Sequence, residues 1–140
     1  MKYFMITIVA LGLIITSCSK DKKALKNIEG QWNITAMTSD SAGVVTDEYA
    51  ALQAMGVTSF TMEFVKCDPG ATCNVYQKAA GSFMGFPIDQ TDTTTYSISS
   101  DAEILTIDGD PLNIITLTNT ELEVSGVDSG KINTIKLTKI

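Results

Sequence analysis

From Gln31 to its end the chain is written in short runs of alternating apolar and polar residues. In Glu121-Leu122-Glu123-Val124-Ser125, Leu122 and Val124 fall on one side and the polar residues on the other. In 132–140, Ile135 and Leu137 oppose Lys136 and Thr138. Successive strand side chains point to opposite faces, so such runs describe half-buried antiparallel strands. The pattern predicts strands at 31–39 (Trp32, Ile34 and Ala36 on one face), 59–67 (Phe60, Met62 and Phe64 inward), 72–79, 93–99 (Tyr96 and Ile98 together), 103–108, 112–118, 120–125 and 132–140. Pro69-Gly70, Ser100-Asp101 and Asp108-Gly109-Asp110-Pro111 supply turns between them. About eight short strands at near-regular spacing make an all-β barrel or sandwich.

Two insertions interrupt the rhythm. Residues 47–55 hold good helix formers with acids in the first turn; Thr46 is a candidate N-cap and Gly56 a stop. Residues 80–92 carry Gly81, Gly85 and Pro87 and read as a loop, though an apolar one with Phe83, Met84, Phe86 and Ile88. That loop is open to three uses: packing, a lid, or a partner patch.

At the N-terminus, Lys2 precedes an apolar run from Tyr3 to Ile15, then Thr16-Ser17-Cys18-Ser19. One positive charge and a short apolar run make a secretory signal, too short to span a bilayer comfortably. Ile15-Thr16-Ser17-Cys18 resembles the lipobox of bacterial lipoproteins. The resemblance implies cleavage before Cys18 and lipid attachment to it. It divides the chain into a signal peptide at 1–17, a lipidated tether at 18–27 and a folded domain at 28–140. Each buried acyl CH₂ contributes about 0.8 kcal/mol, and several chains together hold a protein essentially permanently. Ser19 beside the Cys points to the outer membrane, either periplasm-facing or surface-exposed. Lys-rich residues 20–27 read as a solvated tether. Alternatively Lys20, Lys22, Lys23 and Lys26 lie against anionic headgroups, at about 1 kcal/mol each.

Roughly 110 residues past the tether are enough for one domain with a real core. The chain carries −6, with no Arg and no His, and loss of Lys2 with the signal makes it one unit more negative. Acidity without Arg argues against nucleic acid. The lack of His removes Ser-His-Asp and Cys-His catalysis, His-based zinc sites and imidazole bases. A carboxylate pair of the glycosidase kind is the remaining catalytic option, and no pair of acids stands out for it. Asp108-Gly109-Asp110-Pro111 lacks the further oxygen ligands of a calcium loop. No metal, cofactor or enzymatic activity is expected. With Cys18 lipidated in an oxidising compartment, Cys67 and Cys73 are expected to form a structural disulfide over the Pro69-Gly70 turn.

Gly30-x-Trp32, at the first strand and after a short turn of helix, resembles the opening motif of the lipocalins. The closer likeness is to small lipocalin-like domains of bacterial outer-membrane lipoproteins. Thr95-Tyr96-Ser97-Ile98-Ser99 and the ending Ile135-Lys136-Leu137-Thr138-Lys139 keep the same rhythm. The resemblance implies an antiparallel up-and-down barrel of about eight strands, closed by pairing the last strand with the first. Gly30 and Trp32 would plug one end. Lipocalins usually lay an Arg from the last strand over that Trp; here Lys139 is the substitute candidate, by a cation–π contact of about 0.5–2 kcal/mol. Phe60, Met62, Phe64, Tyr96 and Ile98 are candidate ligand-lining residues, unless they only fill a solid core. The functional expectation is a small apolar or amphipathic ligand bound by shape and burial. The alternative is an accessory or adhesion module that engages an envelope protein through the open-end loops.

Overall fold

A sheet loses its edges only by closing on itself, and here the last strand pairs with the first. The computed structural model describes residues 19–140; the expected signal segment and Cys18 lie outside them. The elements run α1 (Lys20–Ile28), β1 (Gly30–Ser41), β2 (Val44–Asp47), α2 (Glu48–Ala54), β3 (Val57–Phe64), β4 (Cys73–Phe83), β5 (Phe86–Ile98), β6 (Ile104–Ile107), β7 (Asp110–Leu117), β8 (Glu121–Asp128) and β9 (Lys131–Lys139). β1 and β3 to β9 form an antiparallel eight-stranded barrel in sequence order. Closure is the β1–β9 pairing, from Trp32 opposite Lys139 to Asp40 opposite Ile132. β2 is a flap on the far half of β1, Thr38 to Ser41. It was not expected from the sequence.

One end is closed by α1. Asp21, Ala24, Leu25 and Ile28 recur at helical spacing and are all buried, while Lys20, Lys22, Lys23 and Lys26 face water. The expected tether is therefore a packed helix from Lys20 onward; four residues at i, i+3, i+4 and i+7 suffice to seat it. A helix end leaves carbonyls without intrahelical partners. Trp32 Nε1 donates to the Ile28 carbonyl at 2.6 Å, and Lys139 Nζ donates to the Asn27 carbonyl at 2.8 Å. The same ammonium sits 5.1 Å from the Trp32 ring centroid. Gly30, at φ +114°, leaves room for it: a Cβ there would lie 3.1 Å from Lys139 Cε. Trp32 is wholly buried, with Phe64, Tyr96, Leu105 and Leu122 in the same core.

Other expectations need correction. Residues 80–92 are not a loop. β4 and β5 run on as a hairpin to a two-residue turn at Met84-Gly85, both at positive φ. Gly81 does not break the strand but lets β3 approach, since a Cβ there would meet the Gly56 carbonyl oxygen at 2.0 Å. Pro87 is tolerated because Phe83 and Phe86 flank the two-residue turn as the hydrogen-bonded pair. Position 87 then points its missing donor away from β4, towards a side where β5 has no neighbour. Ala36 does not share the inner face with Ile34. A bulge between them pairs Ala36 with Lys136 and brings Met37 opposite Ile135. α2 is capped by the Asp47 carboxylate, which accepts from Ala50 N at 2.9 Å; Thr46 is in β2 and unable to cap.

Truncating Trp32→Ala should cost about 3–5 kcal/mol, by leaving a core void and an unpaired Ile28 carbonyl. Lys139→Met should cost about 1–2 kcal/mol through the Asn27 carbonyl and the lost ring contact. Urea denaturation of both variants checks this; a Trp32→Ala loss below about 1 kcal/mol is incompatible with a plug role.

Candidate functional site

The barrel interior is not filled. An apolar cavity of about 300 Å³ opens toward the end opposite α1, at the lower limit of ligand-sized pockets. Its walls come from seven of the eight barrel strands. β1 contributes Ile34 and Met37, β3 Phe60, Met62 and Phe64, β6 Leu105 and Ile107, β7 Leu112, β8 Leu122 and Val124, and β9 Ile135 and Leu137. Nearer the mouth β4 presents the small Ala79 opposite Phe60, and on β8 Leu112 lies over Gly126. Three polar side chains join the lining: Gln77 from β4, Asp108 from the β6–β7 turn, and Asp110 at the start of β7.

A second, shallower hollow of about 520 Å³ adjoins the first, since Phe60 and Gln77 line both. It lies against the upper β4–β5 hairpin and adds Ala79, Asp89, Gln90, Thr91 and Asp92. Gln77 and Asp92 are cross-strand partners and so project from the same face. β6 reaches only from Tyr96 to Ile98 along β5, so the rim is low on that side. Among the described residues no Lys lines either hollow. Among the described residues no group of three or more Cys, Asp or Glu is placed to hold a metal ion.

The structure brings Phe60, Met62 and Phe64 together in the cavity wall. Tyr96 and Ile98 are elsewhere: both are buried below it, toward the closed end. The Tyr96 ring meets Phe64 edge-on, centroids 5.0 Å apart, and its hydroxyl donates to the Val65 carbonyl. Burial, with the Glu29 carboxylate as a second cause, pushes its phenol up to about 12. Cys67 and Cys73 form a disulfide, Cα atoms 5.7 Å apart, which closes the segment between β3 and β4. Gly30, Trp32 and Lys139 sit at the closed end, away from the cavity. Missing from the expected lining was the β6–β9 wall. Its signal was present in the alternation of Leu122 with Val124 and Ile135 with Leu137, inward pairs never assigned to a ligand. Asp108 and Asp110 do form the turn that was read from them, and also reach the cavity mouth.

No family model matches the chain, and no curated protein matches it. Solved structures do match in fold. Japanin from Rhipicephalus appendiculatus, in a crystal form bound to cholesterol, superposes with a TM-score of 0.59 at 9% identity, over 79% of this chain and 74% of Japanin. The siderocalin Ex-FABP, described as functioning through dual ligand specificities, gives a TM-score of 0.50 at 13% identity, over 81% of this chain and 73% of that one. The fold is lipocalin-like.

A phenol harder to ionise in the folded barrel than in the unfolded chain stabilises the fold fully below its ordinary value near 10. That contribution should disappear as pH rises from about 10 to about 12, amounting to about 2–3 kcal/mol at most. Tyr96→Phe should be less stable at neutral pH by about 1 kcal/mol, for want of the Val65 hydrogen bond. It should also fall less steeply across the alkaline window. Paired denaturation curves at neutral pH and within that window make the comparison; identical alkaline slopes exclude a buried phenol.

Proposed function

We propose that this protein is a lipid-anchored envelope protein whose barrel holds one small apolar or amphipathic molecule, without catalysis. The observation that carries the reading is the 300 Å³ cavity, walled almost wholly by aliphatic and aromatic side chains and open at one end. Binding in such a place is by burial and shape, with about 25 cal/mol gained per Å² of apolar surface removed from water. Japanin bound to cholesterol, and Ex-FABP with its dual ligand specificities, give the fold a precedent for ligand binding.

The anchor reading rests on the lipobox-like Ile15-Thr16-Ser17-Cys18 and gains support from α1. The helix begins two residues past Cys18, so a lipid on that residue would meet the closed end of the barrel with almost no slack. The four exposed lysines of α1 would then lie at the headgroups. The mouth would face away from the anchoring membrane, and ligand would exchange through water.

A second reading has its own observation. Phe83, Met84 and Phe86 at the β4–β5 hairpin tip are 50%, 84% and 75% exposed. Large apolar side chains clustered on a protruding hairpin suit contact with a protein partner.

Nile red should bind and brighten with wild-type protein, and Val124→Trp, which fills the cavity from β8, should weaken it at least about tenfold. Glu63→Gln on the outer wall should leave it unchanged. Failure of Val124→Trp to alter binding, with its circular dichroism intact, would move the probe out of the barrel, and the hairpin tip would then be the binding surface to test. Cys18→Ala should pass from the membrane to the soluble fraction of a Gram-negative host with the barrel still folded. Retention after a salt wash would refute lipid anchoring.

A further inference from the structure

Among the described residues, the charged side chains that line the cavity itself have one sign. Asp108 and Asp110 line the cavity itself from the β6–β7 turn, and Asp92 lines the adjoining hollow from β5. Among the described residues none of the three is in a salt bridge; the two that form are Lys78–Asp89 and Lys136–Glu123. Among the described residues no Lys lines the cavity, and the chain has neither Arg nor His. The remaining polar lining is Gln77, Gln90, Thr91 and Asp89, whose carboxylate is paired with Lys78 at 3.4 Å.

We propose that the cavity's occupant is an amphipathic amine, its apolar body among the β3, β8 and β9 side chains and its ammonium between the aspartates of the rim. The proposal rests on the ligand-carrier reading and deepens it by assigning the charge of the head. An ammonium brings donors and no acceptor, which suits carboxylates. A carboxylate or phosphate head beside Asp108 and Asp110 meets like charge and finds no cation in the cavity lining, so the rim acts against anionic lipids as well as for cationic ones. The aspartates remain solvent-exposed in the empty protein and bear no desolvation cost while waiting. A head held at the mouth also stays partly hydrated, while the tail enters the dry part alone. Asp108 keeps its place because the turn is fixed by two successive residues at positive φ, Asp108 and Gly109.

Titration calorimetry of the purified protein with dodecylamine, dodecanol and dodecanoate, each below its micellar range, compares one tail with three heads. The amine should bind at least about tenfold more tightly than dodecanoate, with the alcohol between them, and the advantage should shrink as salt rises. Asp108→Asn with Asp110→Asn should bring the amine to within about threefold of dodecanol. Glu63→Gln with Glu121→Gln, an equal change of net charge away from the mouth, should leave the ranking as it was. Equal affinity for the three heads, or a preference for dodecanoate, overturns the rim assignment and leaves the carrier reading standing. Binding of none of the three overturns both.

Discussion

Everything above the closed end depends on how one helix terminus is satisfied. The last carbonyls of α1 point into the barrel, where an unpaired acceptor is expensive. The Trp32 indole and the Lys139 ammonium take two of them, from the first and last strands of the barrel. These two residues are also cross-strand partners. One small cluster thus seats the helix, plugs the barrel and holds together the two strands whose pairing closes the sheet. The absent side chain of Gly30 belongs to the same arrangement, because the lysine stem passes where a Cβ would be.

With one end fixed so firmly, the other can be left open. Core density concentrates toward α1, where Phe64, Tyr96, Trp32 and Leu105 are packed out of reach of water. Toward the mouth the wall made by β4 and β5 shrinks to Ala79 or turns polar at Gln77, Gln90 and Asp92. A gradient from bulky to small along the axis produces a cavity without any void in the part that carries stability. The bulge after Ile34 serves the same purpose, since it puts Met37, with an adaptable thioether, where strict alternation would have put Ala36.

The eight-stranded pattern was legible because burial on one face forces a period of two, and Leu122, Val124, Ile135 and Leu137 display it without interruption. Closure was not in the pattern, which suits a sandwich as well; it came from the likeness of Gly30-x-Trp32 to a lipocalin opening. The failures share a cause. Each is a place where a local signal is decided by a distant partner. Gly81 and Pro87 look like breakers until the neighbouring strand at Gly56, and the empty far side of β5, are known. The lysines of α1 mask its buried face at Asp21, Ala24, Leu25 and Ile28, whose spacing was readable but whose partner surface was not. Tyr96 and Ile98 point inward as alternation requires, yet depth along the barrel axis, which alternation does not encode, places them under the cavity rather than in it.

The same distinction bears on how a ligand preference can be written into such a molecule. The closed-end cluster leaves little freedom: indole, ammonium and glycine fit only one another. The mouth lies at the far ends of the strands, where Asp108, Asp110 and Asp92 are exposed and contribute nothing to the core. Substitutions at well-separated sites act nearly independently. The charge of the rim can therefore change with little effect on the fold, and the fold places no demand on that charge. Asp108-Gly109 suits a two-residue turn with both residues at positive φ, but Asn-Gly would serve that turn equally, so the charge itself is not required by the fold. Its physical consequence falls on whatever enters, by admitting one sign of head group and repelling the other.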